Sequence, residues 1–198
     1  MAFIISADDL KKTIPGYNPS QSHLVHTQSA KLADALYTKT INESDLKEVV
    51  LLSGGAASGK TEFMSEYLAD RPCIIVDGTL PSLQGALIKT QKAQKRGKKV
   101  VIVAVWPADL KVAFAAFLQR DRKFPDEHFY RTHSQSRKAL LEIAKSDLPV
   151  EIRLYENQFE DGELTFYEYT FDSKAQLIEK LEHSQYTEQE IINIITQP

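Results

Sequence analysis

The sequence predicts an α/β fold, a three-layer α/β/α arrangement on a mostly parallel sheet. Apolar runs of strand length at residues 2–6, 49–52, 73–76, 100–106 and 150–155 alternate with longer segments whose apolar residues recur at helical spacing. Strands that alternate with helices pair in parallel and are covered on both faces. A second observation is the succession of strand, glycine-rich loop and helix across residues 47–67, KEVVLLSGGAASGKTEFMSEY. A chain of 198 residues with 42% hydrophobic and 26% charged residues can bury one sizeable core.

In chain order, residues 2–6 form a first strand that ends on Ala7-Asp8-Asp9-Leu10. Pro15, Gly16 and Pro19 break residues 14–22 into a loop. Leu24, Val25, Leu32, Ala35 and Leu36 predict a long helix over 23–41, and 42–47 is a polar link into the next strand. Phe63, Met64, Tyr67 and Leu68 place a helix after the glycine loop, and Asp70-Arg71-Pro72 ends it. The strand at 73–76 runs into Asp77-Gly78-Thr79-Leu80. Pro81 then opens a helix to about residue 96, with Gly97 as its C-cap. After the strand at 100–106, Pro107 opens a helix that closes on Gln119-Arg120-Asp121-Arg122-Lys123. Residues 126–146 are helical. Strands at 150–155 and 164–171 flank an Asp161-Gly162 turn, and helices over 173–182 and 187–195 finish the chain.

Gly54-Gly55-Ala56-Ala57-Ser58-Gly59-Lys60-Thr61 fits G-x-x-x-x-G-K-S/T without a mismatch, in the strand–loop–helix setting the motif requires. Glycines let the backbone wrap a phosphate, and the loop N–H groups supply partial positive charge. Lys60 reaches the β- and γ-phosphates, and Thr61 places its hydroxyl on Mg²⁺. The reading is a P-loop NTPase or kinase-like core that binds ATP and Mg²⁺.

Parallel strands gather their C-terminal ends on one edge, so Asp8, the glycine loop and Asp77 should share one cleft. Phosphoryl transfer needs a base for the acceptor and cations for the moving charge. Asp8 is either that base or a helix N-cap, and Asp9 reads as an N-cap. Arg120 and Arg122 are either a lid over transferred phosphate or a solvated helix end. The lysine-rich run at 89–99 reads as a solvated helix end, and His128 and His133 as ordinary helix residues. A net charge of −3 argues against nucleic acid and anionic membranes as partners. Cys73 is the lone cysteine, which excludes an internal disulfide and fits a reducing cytoplasm. No apolar run approaches the ~18 residues of a membrane span, and the N-terminus lacks the pattern of a signal peptide.

Several segments resemble the zeta-toxin family of P-loop kinases, which phosphorylate the sugar 3′-hydroxyl of UDP-N-acetylglucosamine. GGAASGKT resembles the family P-loop, and Ile75-Val76-Asp77-Gly78-Thr79-Leu80 resembles its acidic-Gly-Thr-Leu signature, which contacts the sugar nucleotide. Arg122-Lys123-Phe124-Pro125-Asp126-Glu127-His128 is similar to R-x-x-P-x-E-H, whose arginine binds phosphate. Residues 3–11, followed by Ile14-Pro15-Gly16-Tyr17, resemble the stretch with the catalytic aspartate, and His26-Thr27-Gln28-Ser29 opens an acceptor-side helix. The segment order departs from the family, because here the aspartate strand and acceptor-side helix precede the P-loop. That implies a rewired sheet in which the same strands occupy the same places. The family also carries two separated arginines, and only Arg122 matches firmly, with Arg120 standing in for the other.

The resemblance implies a kinase for a nucleotide sugar or related small-molecule hydroxyl, with an antitoxin protein as one partner class. Asp8 is then the general base, and Lys60, Arg122 and Arg120 stabilise the γ-phosphoryl. Asp77 and Thr79 position the acceptor, with Lys11, Tyr17, His26 and Ser29 on its wall, and Tyr155 and Asn157 border the adenine. Residues 1–158 would form the kinase core, with 1–46 on the acceptor side and 47–158 carrying the P-loop and lid. Residues 159–198 add a hairpin strand and helices on the same domain. A kinase for another nucleoside or nucleotide, or a non-catalytic ATP-binding regulatory module, stays open beside this reading.

Overall fold

The computed structural model describes residues 1–121, 123–160 and 162–197. Arg122, and Asp161 of the expected turn, lie outside the described residues. The elements follow the expected alternation: β1 (Phe3–Ser6), α1 (Ala7–Lys11), α2 (His26–Glu43), β2 (Glu48–Ser53), α3 (Lys60–Phe63), β3 (Ile74–Asp77), α4 (Leu83–Gln94), β4 (Lys99–Pro107), α5 (Leu110–Leu118), α6 (Asp126–Lys145), β5 (Glu151–Glu160), β6 (Glu163–Tyr169), α7 (Lys174–His183) and α8 (Glu188–Thr196). Pro19–Val25 forms a 3₁₀ segment before α2, and Met64–Leu68 continues α3 as a π-helical turn.

Six strands pair in the order β1-β3-β2-β4-β5-β6. All neighbours are parallel except β5 and β6. The glycine loop therefore leaves the middle of the sheet, where the chain has crossed from β1 over β3 to reach β2 and next steps back to β3. Alternation along β2 and β4 separates the two faces. Val49, Leu51, Ile102 and Ala104 pack with Tyr37 and Ile41 of α2, Ala86 and Ala93 of α4, Leu140 and Ile143 of α6, and Leu181 of α7. Val50, Leu52, Val101, Val103 and Val105 pack with Phe63, Met64 and Leu68. The layers are thus unequal. Four helices contribute to one face, whereas residues 60–68, Tyr155 and Phe166 cover the other.

Several local expectations change. Neither Asp8 nor Asp9 is an N-cap: Ser6 holds that position, and both aspartates lie in the first turn of α1. Pro107 ends β4 rather than opening a helix, and Asp109 caps α5 by accepting from the amides of Lys111 and Val112. Strand β5 runs on to Glu160 because β6 pairs with it over its whole second half.

The lysine-rich stretch is not solvated throughout. Lys98 is buried, and its ammonium donates to the carbonyls of Ser44 and Leu46 at 2.6 Å each. It ties the turn before β4 to the link before β2, where two donors replace the water these carbonyls lose. Lys98→Met keeps the apolar stem and removes the donors, so it should lower the free energy of unfolding by about 1–3 kcal/mol in urea titration; an unchanged midpoint would show that the contact contributes nothing.

Candidate active site

Residues 54–61 close a loop between β2 and α3, and three other elements hold it. From α6, Thr132 Oγ1 accepts from the Ala56 amide at 3.0 Å, and His133 Nε2 lies 2.9 Å from the Ala56 carbonyl. A carbonyl only accepts, so Nε2 carries the proton. From β5, Asn157 Nδ2 donates to the Ser58 carbonyl at 2.7 Å. From the turn after β3, the Thr79 carbonyl accepts from the Gly54 amide at 3.4 Å. Glycine is required where these supports come closest. A Cβ on Gly55 would lie 2.2 Å from the His133 ring, and one on Gly59 would lie 2.5 Å from Asn157 Nδ2. Ala57 and Leu80 sit at φ of 57° and 48°, left-handed values that non-glycine residues adopt at a cost and that cluster at functional sites. Both lie just beyond strand C-termini.

Lys60 folds back onto this loop. Its ammonium donates to the carbonyls of Gly54 (2.9 Å) and Gly55 (2.6 Å) and to Ser58 Oγ (3.1 Å). Desolvation lowers its pKa to about 8, with Asp77 opposing the shift and Arg120 adding to it. The loop therefore presents a cation held by neutral dipoles, which an incoming anion would stabilise.

The cavity beside Lys60 measures about 230 Å³. Asp8, Lys11, His26, Ala56, Ser58, Thr61, Asp77, Thr79 and Arg120 from the sequence expectations all line it. Parallel register brings two of them together, since Ser6 pairs with Asp77 across β1 and β3 and donates to Asp77 Oδ2 at 3.2 Å. Lys11, although fully buried to solvent, is on this wall and bonds Asp8 Oδ1 at 2.8 Å. Ser29 is fully buried, its hydroxyl donates to the His26 carbonyl, and it is not among the residues that line this cavity. Tyr17 lines an adjoining cavity that shares Ser6, Asp8, Thr61, Asp77 and Arg120 with this one. Arg122 lies outside the described residues.

The structure also adds residues. His128 and Arg131 line the cavity, and His133 and Thr132 support the loop, so the two histidines are more than ordinary helix positions. Phe124 stacks on His128 with centroids 4.3 Å apart. A larger cavity of about 600 Å³ opens on the far side of Gly59. Its walls include Pro107, Val112, Asn157, Phe159 and Leu164. Tyr155 is not on that wall; it packs on Phe63 at 4.5 Å, inside the sheet face.

No family model matches the chain, and no curated protein sequence matches it. Solved structures do. A chain of the AvrRxo1-ORF1:AvrRxo1-ORF2 complex crystallised with sulphate ions superposes with a TM-score of 0.51 at 15% identity, over 87% of this chain and 76% of that one. The native crystal of that complex gives 0.51 at 17% identity, over 94% and 83%. The crystal with ATP gives 0.51 at 15%, over 86% and 75%. What is shared is the fold.

Burial holds His133 neutral, with its pKa lowered to about 3, and His128 is lowered to about 4. Between these values and the ordinary value near 6.5, the unfolded chain binds more protons than the folded one. Stability should therefore fall as the pH drops below about 6.5, with His133 alone contributing a slope of up to about 1.4 kcal/mol per pH unit. Urea titrations at pH 7 and 5 should show this loss, and it should shrink in His133→Asn; equal pH dependence in the two proteins would rule out a neutral buried His133.

Proposed function

We propose that this protein is an ATP-dependent kinase of zeta-toxin type, which transfers the γ-phosphoryl group to a hydroxyl of a nucleotide sugar such as UDP-N-acetylglucosamine. The observation that carries this is the meeting of Lys60 and its glycine loop with Asp8 and Asp77 in one cavity at the strand ends. Two carboxylates beside the lysine are enough to serve both the metal and an acceptor hydroxyl. The sheet order supports the reading too. Strand β1, which carries Asp8, lies against β3, which carries Asp77, although the P-loop strand falls between them in sequence. This is what a family site rebuilt with a rewired chain order requires. The fold is also that of a protein crystallised with ATP.

In this reading the ATP phosphates lie along residues 54–61, where Lys60 exchanges its loop carbonyls for phosphate oxygens. The base of ATP occupies the larger cavity beyond Gly59, with Val112, Phe159 and Leu164 as apolar walls and Asn157 as the polar contact. Thr61 is the residue that would hold Mg²⁺, which supplies charge neutralisation between the phosphates. Asp8 accepts the proton of the acceptor hydroxyl. As that oxygen forms its bond to the γ-phosphorus, the bond from phosphorus to the β,γ-bridging oxygen breaks and ADP leaves. Lys60 and Arg120, with Arg122, hold the charge of the moving group. Asp77 and Thr79 orient the acceptor, and His26 closes its far side. The resemblance and the two-protein assembly of the similar structures favour an antitoxin-like protein as a partner.

The test is transfer from γ-labelled ATP with Mg²⁺ to a panel of hydroxyl acceptors that includes UDP-N-acetylglucosamine. Asp8→Asn should lower kcat by about 10²–10⁴-fold, the range for losing a general base, with ATP affinity unchanged. Full activity in Asp8→Asn would remove Asp8 from the chemistry. Transfer to another acceptor only would keep the kinase and replace the substrate.

A further inference from the structure

We propose that Lys11 is a positioning residue for this reaction: its buried ammonium fixes the Asp8 carboxylate at the cavity wall. The inference rests on the reading of Asp8 as the base and names what holds that base in place. Lys11 and Asp8 stand three residues apart in α1, a spacing that puts both side chains on one face. The two ends of the pair are unequally exposed. The Lys11 side chain is 0% exposed, whereas that of Asp8 is 39% exposed and faces the cavity. A surface ion pair shares exposure and holds little geometry. Here the cation is immobile and the anion is presented.

Three partners surround the Lys11 ammonium. It donates to Asp8 Oδ1 at 2.8 Å and to Ser22 Oγ at 3.1 Å, and it sits 4.6 Å from the centroid of the Phe124 ring. Each partner is itself fixed. Ser22 is fully buried. The Phe124 ring is stacked on His128 and met edge-on by His26 at 6.2 Å. The neighbouring Lys123 amide reaches the Pro19 carbonyl at 3.3 Å. A buried ammonium without such partners would be costly, so the arrangement leaves it one position. Lys60, Asp77, Arg120, Arg131, His26 and His128 also share this cleft with Asp8, and Lys11 is bonded to it directly. In the same turn, Asp9 pairs instead with Lys12 in solvent. A carboxylate held this way spends no time in unproductive rotamers, and a misplacement of about 1 Å is enough to cost about 100-fold in rate.

The experiment compares Lys11→Met, Lys11→Arg and Asp8→Asn in steady-state transfer from ATP to the acceptor of the wild-type enzyme. Lys11→Met keeps the stem and removes the charge. Its kcat should fall about 100-fold, with ATP affinity within about twofold and a circular dichroism spectrum like that of the wild type. The acid limb of its pH profile should move up by about one unit, because an opposite charge beside a carboxylate has gone. Lys11→Arg should recover part of kcat and restore the limb. If Lys11→Met is unfolded, the milder pair Ser22→Ala and Phe124→Leu decides: both should lower kcat without changing ATP affinity. An inactive Asp8→Asn beside a Lys11→Met of wild-type kcat and pH profile would overturn the role of Lys11 alone. An active Asp8→Asn would overturn the reading on which it rests.

Discussion

The site depends on one short peptide, Ala56, being held at both polar atoms by a single helix. Its amide and carbonyl meet Thr132 and His133 on successive positions of α6. A glycine-rich loop has few side chains of its own to pack, and its backbone is free to sample many shapes. Two hydrogen bonds from a twenty-residue helix remove that freedom. The same helix also reaches the cavity wall through His128 and Arg131, and the core through Leu140 and Ile143. Loop and cavity wall are therefore supported by one helix. His133 can do this because it is neutral and fully buried, and Gly55 can lie against it because it lacks a Cβ.

The other half of the cavity comes from the sheet. Parallel pairing of β1 with β3 places Ser6 opposite Asp77, and α1 starts at the next residue, so Asp8 emerges beside them. Strand order thus does what chain order does not. The carboxylates meet from segments some seventy residues apart, with the P-loop unit lying between them in sequence. Across the cleft, Arg120 follows α5, whose Leu110, Ala113 and Phe117 join Ile191 of α8 and Phe129 of α6 in a separate apolar cluster. The C-terminal helix is in this way part of the support behind the arginine.

Much of this was legible in the sequence. The apolar runs located the start of each strand to within about a residue, whereas the extension of β5 to Glu160 depends on its pairing with β6. The glycine loop was legible because its motif includes its own context. That Asp8 and Asp77 would share a cleft followed from both standing at strand ends. Other features were hidden for one physical reason, namely that a polar side chain's role is set by partners distant in sequence. Lys98 looked like one charge of a solvated run until the carbonyls of Ser44 and Leu46 were beside it. Lys11 was legible as a cleft residue, but its bond to Asp8 was not. Nothing in the spacing of His133 marks it as the partner of Ala56. The inequality of the two helical layers was hidden as well, because helical period does not say which face of the sheet a helix will cover.

The central claim is that residues 54–61 cradle the phosphates of a nucleotide. Isothermal titration of ATP with Mg²⁺ into the wild type and Lys60→Ala tests it without any acceptor. The account predicts one site in the wild type, weaker binding of ADP, and loss of at least 1.5–3 kcal/mol of binding free energy in the variant, the worth of hydrogen bonds to a charged group. Equal affinity of the two proteins for ATP would contradict it.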